Sequence, residues 1–110
     1  MTAVRVYLSV DAAALGVLQR TGALPAGSFE VHLPAGQGED AEYDAMRAAA
    51  EAAASAHPHP VVVAADVEDT TSHVAGADVP LSDVASFHVG DDLAWYATQE
   101  LGPLLDELGV

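Results

Sequence analysis

The stretch Val4-Arg5-Val6-Tyr7-Leu8-Ser9-Val10 decides the first question about the fold. Val4, Val6, Leu8 and Val10 alternate with Arg5, Tyr7 and Ser9, and side chains on a strand point to opposite faces with period two. The segment therefore reads as a strand with one apolar and one polar face. Ser28 to Leu33 repeats the pattern, with Phe29, Val31 and Leu33 set against Glu30 and His32. Ala85, Phe87 and Val89 against Ser86 and His88 repeat it again. Only Val61-Val62-Val63-Ala64-Ala65 is apolar without interruption, which marks a central strand, covered on both faces or flanked on both edges. A sheet packed on both sides shows such runs in most of its strands. One-sided strands instead predict an α/β (α+β) two-layer sandwich. Its mixed four-stranded sheet would carry three helices mainly on one face and leave the other face polar.

The intervening segments supply the helices. Asp11 stands where an N-cap belongs, Ala14, Leu15 and Leu18 follow at helical spacing, and Gly22 and Pro25 mark the stop. After a Gly-containing loop at 35–40, a second helix runs from about residue 40 or 41 to about 56. Its expected apolar face is Tyr43, Met46, Ala50 and Ala53, and Glu39, Asp40, Glu42 and Asp44 gather at its positive end. His57-Pro58-His59-Pro60 breaks it. Residues 66–80 read as loop with a short edge strand around His73 to Ala75, and Ser82 as the cap of a single turn. Gly90-Asp91-Asp92 is expected to open a last helix with the stripe Leu93, Ala97, Leu101, Leu104, Leu105 and Leu108. Pro103 would start a second short helix after a break at Gly102. The order is βαβαββα in a single domain over residues 1–110.

Composition narrows the function classes. The chain has 110 residues, 51% of them hydrophobic, enough for one packed core. Seventeen acidic residues face three basic ones, Arg5, Arg20 and Arg47, for a net charge of -14. That balance argues against nucleic acid, which is bound by basic residues that release counterions, and against anionic membrane surfaces. It suits a basic partner or a divalent cation, and it also serves plain solubility. Without cysteine there is no disulfide and no thiolate zinc site. MTAVRVYLSV reads as a strand rather than a signal peptide, and the expected location is the cytoplasm.

Three constellations carry candidate chemistry. Arg5, Tyr7, Ser9, Glu30, His32, Ser86 and His88 share the polar sheet face, which is open to a ligand, a second copy or solvent. Asp66, Glu68 and Asp69 follow the central strand, where carboxylates hold Mg2+ in some α/β folds, and Asp91 and Asp92 stand after the last strand. Ordinary turn chemistry accounts for the same residues. His57 and His59 point to one side of an extended segment. Trp95, with Gln99, falls off the stripe of the last helix and reads as a partner contact or the underside of a folded loop. No nucleotide-binding, hydrolase or zinc-peptidase motif is present, and no cofactor is expected.

Four segments together carry a resemblance: Val4-Arg5-Val6-Tyr7-Leu8, Val61 to Val67, Val79 to Ala85 with His88-Val89, and Leu93-Ala94-Trp95-Tyr96-Ala97-Thr98-Gln99-Glu100-Leu101. In this order they resemble an uncharacterised family of actinobacterial proteins, a domain of unknown function. The resemblance implies a single cytoplasmic domain and no activity. Three functional readings stand at this point. The preferred one is an interaction domain, self-associating or meeting a protein partner through the polar face or Trp95. The others are a small-molecule-binding domain on that face, with Arg5 pairing an anion, and a divalent-metal-assisted hydrolase using Asp66, Glu68 and Asp69.

Overall fold

The computed structural model describes residues 4–36, 38–67, 78–90 and 92–109. Strand β1 (Val4–Asp11) ends in a carboxylate that also starts helix α1 (Ala12–Thr21). Asp11 Oδ2 accepts the Ala13 N–H at 3.1 Å, as an N-cap should, and Oδ1 accepts the His59 N–H at 3.0 Å. One side chain thus caps the helix and ties down the His-Pro-His-Pro segment. Gly22, at φ 84°, takes the left-handed conformation that ends α1, and its N–H donates to the Leu18 carbonyl.

Strands β2 (Ala23–Leu24) and β3 (Glu30–His32) lead to the long helix α2 (Glu39–Ala56). Then follow β4 (Pro60–Val67), β5 (Val79–Pro80), a 3-10 turn at Leu81–Asp83, β6 (Val84–Val89) and β7 (Ala94–Ala97). A second 3-10 turn, Thr98–Glu100, enters helix α3 (Leu101–Leu108). The main sheet has the order β3-β1-β4-β6-β7, and β2 pairs with β5 in a separate two-stranded ribbon. Among the described residues no helix is long and apolar enough to cross a membrane.

The α+β class is the expected one, and β4 is the central strand its apolar run foretold. Strand number and order differ. The main sheet has five strands rather than four, and every described pairing is antiparallel rather than mixed. The additional strands β2, β5 and β7 are two to four residues long, too short to show a period. The expected edge strand at His73 to Ala75 lies outside the described residues.

Register confirms the side-chain directions read from the alternation. Tyr7 stands opposite His32 and Ala64, Ser9 opposite Glu30 and Val62, Ala64 opposite Ser86, and Val62 opposite His88. The polar residues do share one face. That face is not bare, however. α1 and α3 bury Leu15, Leu18, Leu101, Leu104 and Leu105 against Val6, Leu8, Val10, Val63 and Phe87 on one side of the sheet. α2 lies on the other side, where Ala45 and Ala49 pack on Tyr7, Val62 and Ala64. The buried stripe of α2 is Ala45, Ala49 and Ala53, spaced by four, rather than the expected Tyr43, Met46, Ala50 and Ala53. Alanine lets the helix come close enough to cover Tyr7, which is only 6% exposed. The buried polar groups find partners on the same face: Ser9 Oγ lies 3.4 Å from His32 Nε2, and Ser86 Oγ 3.0 Å from His88 Nε2. A polar strand face thus shows where the hydroxyls point, and alanine on the neighbouring helix shows that the face is covered.

The second correction concerns Trp95, which stands on a strand and not on the last helix. Gly90 at φ 80° and Leu93 at φ 53° form a tight turn closed by the Leu93 N–H to the Gly90 carbonyl at 3.1 Å. The chain then pairs back on β6, with Trp95 opposite His88 and Tyr96 opposite Phe87. Adjacent aromatic residues fit a pleated surface, where they separate onto opposite faces. The helix starts only at Leu101, and Pro103 sits in its first turn, where a missing N–H is harmless.

Candidate functional site

α2 packs over β3, β1 and β4. Past β4 the same sheet face continues along β6 and β7, and α2 forms a wall instead of a lid. The result is a half-open groove of about 650 Å³. Tyr43, Met46, Arg47, Ala50 and Glu51 of α2 form one side, and Val62 and His88 form the base. Asp92 and Leu93 of the β6–β7 turn, with Trp95 of β7, form the other side. A second hollow of about 440 Å³ shares Tyr43 and Met46 and continues to Tyr7, Glu39, Asp40 and Glu42.

The groove is mostly apolar and aromatic, with a few polar groups at its margins. Trp95 is 63% exposed and Tyr43 52%, both unusual for large hydrophobic side chains. The Arg47 guanidinium carbon lies 6.0 Å from the Tyr43 ring centre, a cation–π arrangement. Leu93 carries backbone strain, because a leucine at positive φ costs about 1 kcal/mol or more. It holds that conformation at the groove's edge while packing against the cluster under α2.

His88 is the titratable group at the base. Burial pushes its pKa below the ordinary value; the nearby backbone of Leu93 opposes that shift and Arg5 adds to it. Its Nδ1 is buried without a hydrogen-bond partner. The ring is therefore neutral near pH 7 and offers the groove a flat, uncharged surface. Ser86 is 4% exposed, so the Ser86–His88 pair has no access for nucleophilic attack. The Tyr7 pKa shifts the other way, pushed up chiefly by burial and then by Glu42, with Arg5 opposing.

The structure separates the other candidates from this groove. Arg5 forks onto Asp66, with Nε to Oδ1 at 2.6 Å and Nη2 to Oδ2 at 3.1 Å. The two face each other across β1 and β4, and the hydrogen bond to Asp66 raises the Arg5 pKa against the cost of burial. Arg5 is thus no free anion anchor, and Asp66 no free metal ligand. The pair sits four residues along β4 from Val62, about 13 Å at the rise of a strand. Glu68, Asp69 and Asp91 lie outside the described residues, and among those described no three potential metal ligands come together. Glu30 is exposed on the edge strand β3, and His32 beside it is taken up with Ser9. Gln99 is exposed in the 3-10 turn and does not line the groove.

Of the sequence candidates, the structure brings His88, Asp92 and Trp95 together. Sequence reasoning missed Arg47 and Glu51, and took Tyr43, Met46, Ala50 and Leu93 for core. One signal was available: the alanines of α2 fill a second stripe beside that apolar one, and a single helix needs only one buried face. No characterised protein and no solved structure matches the chain. Residues 4–92, which include α2, β4 and β6 but stop short of Leu93 and Trp95, match the model of a family of unknown function, DUF6912, and the chain belongs to that family.

Proposed function

We propose that this protein is a small-molecule-binding domain whose ligand occupies the groove between α2 and the β6–β7 hairpin. The observation that carries the reading is the groove itself. Its volume of about 650 Å³ lies inside the range of ligand pockets, roughly 300–1,000 Å³. Its lining follows the same pattern, apolar and aromatic with a few polar groups. Trp95 and Tyr43 expose large rings beside it, and α2 occupies the sheet face that self-association through the polar strands would have needed.

Trp95 is the only tryptophan, so its emission reports on the site without a label. A thermal-shift panel of small metabolites should find compounds that raise the melting temperature, since a ligand that binds only the folded state stabilises it. The same compounds should quench or shift Trp95 emission. Ala50→Phe, which fills the groove from α2, should abolish both responses while leaving the fold intact. Ligands that stabilise the protein equally in Ala50→Phe and leave Trp95 unmoved would place binding elsewhere and overturn the reading.

A further inference from the structure

We infer that the ligand is an organic ammonium: an apolar or aromatic body carrying a protonated amine. This deepens the reading above and rests on it. The argument is charge complementarity within a groove of defined lining. Two carboxylates, Glu51 and Asp92, flank the groove from opposite sides against one guanidinium, Arg47. Among the described residues neither carboxylate has an ion-pair partner, because the single salt bridge there is Arg5–Asp66. The adjoining hollow, which shares Tyr43 and Met46 with the groove, adds Glu39, Asp40 and Glu42. Behind these stands a net charge of -14, whose field raises the local concentration of cations and opposes anions.

The apolar lining selects the rest of the molecule. A hydrated metal ion gains nothing from Met46, Leu93 and Trp95, whereas an amine with a hydrocarbon or ring body buries its body there. Trp95, 63% exposed beside the groove, carries an indole, the best aromatic ring for a cation. Tyr43 already holds Arg47 in that way, which shows the local geometry accepts a cation on a ring. His88, kept neutral by its burial, adds no positive charge to repel the amine. Phosphorylated and carboxylate ligands meet the opposite balance.

Three probes of equal size separate charge from shape: phenethylamine, phenethyl alcohol and phenylacetate. Calorimetric titration at low ionic strength should give the order amine, then alcohol, with phenylacetate silent. The Glu51→Gln/Asp92→Asn double variant should weaken phenethylamine about tenfold or more and leave the alcohol unchanged. Raising salt to 0.5 M should weaken the amine alone. Equal binding of all three, or a preference for phenylacetate, overturns the ammonium assignment while the groove reading survives. Silence from all three, with the broader metabolite panel still moving Trp95, does the same. Silence in both experiments overturns the groove as well.

Discussion

The two faces of the sheet solve the same packing problem with different side chains. On one face α1 and α3 press leucines into valines, leucine and Phe87, and the leucines Leu15, Leu18 and Leu104 and the Phe87 ring are sealed at its centre. On the other, α2 presents alanine to Tyr7, Val62 and Ala64. Large side chains fill space and give most of the stability, since apolar burial contributes about 25 cal/mol per Å². Alanine contributes little area and brings the helix close over part of the sheet only. The first face therefore works as the core. The second works as a scaffold for a groove, with Trp95 and Tyr43 left uncovered.

If that division is right, substitutions should sort by face. The largest loss is expected for Phe87→Ala, which empties the sealed core and should cost about 3–5 kcal/mol by denaturant titration. A loss below about 1 kcal/mol would mean that this face is not the core. Ala49→Leu forces bulk between α2 and the sheet and should cost about 1–3 kcal/mol. Neutrality would mean that the helix floats free of the face. Asp11→Ala removes the cap of α1 and the tie to His59, costing about 1 kcal/mol.

The Asp11 substitution also has a pH signature. Partial burial works against the Asp11 charge, but the Ala13 and His59 amides, with His57 and His59 nearby, outweigh it and hold its pKa below the ordinary value. The stability it adds is present above the unfolded carboxylate value and is lost as pH falls through the lower folded one, so the variant should lack that acid-range loss.

His88 tests the groove's base with the same logic. Its folded pKa is depressed, so the unfolded chain takes up a proton first as pH falls below about 6.5. Stability should therefore decline from that pH downward until the folded-state histidine also protonates. His88→Asn should flatten this part of the profile, and an unchanged slope would show that another group titrates there. The smallest stability effect belongs to Trp95→Ala, within about 0.5 kcal/mol as for exposed positions, even though it should remove most of the ligand response.

Much of the fold was legible in the residues. The alternation in β1, β3 and β6 gave the correct side-chain directions, and the valine run gave the central strand. The Asp11 cap and the Gly22 stop placed α1 to the residue. What the pattern could not convey was what sat over each face. A polar strand residue is equally compatible with solvent and with a small-faced helix whose neighbours satisfy its hydroxyls, as Ser9 and Ser86 show. The misreading of Trp95 has a similar origin. Gly90-Asp91-Asp92 serves as a helix start or a hairpin turn, and the leucines from Leu101 onward extended the helical period backward over a strand of four residues. The site followed the same divide: His88, Asp92 and Trp95 stood out as residue types, while Glu51, Arg47 and Leu93 gained meaning only once α2 and the hairpin were brought together.

The most direct test is an amide chemical-shift map of the labelled protein titrated with phenethylamine. Shifts confined to Met46, Arg47 and Ala50 of α2, His88 of β6, and Leu93 and Trp95 across the turn, with the Trp95 indole among the largest, are the expected result. Shifts clustered on α1 and α3, or spread evenly over both faces, would contradict the assignment of binding to the alanine-packed side of the sheet.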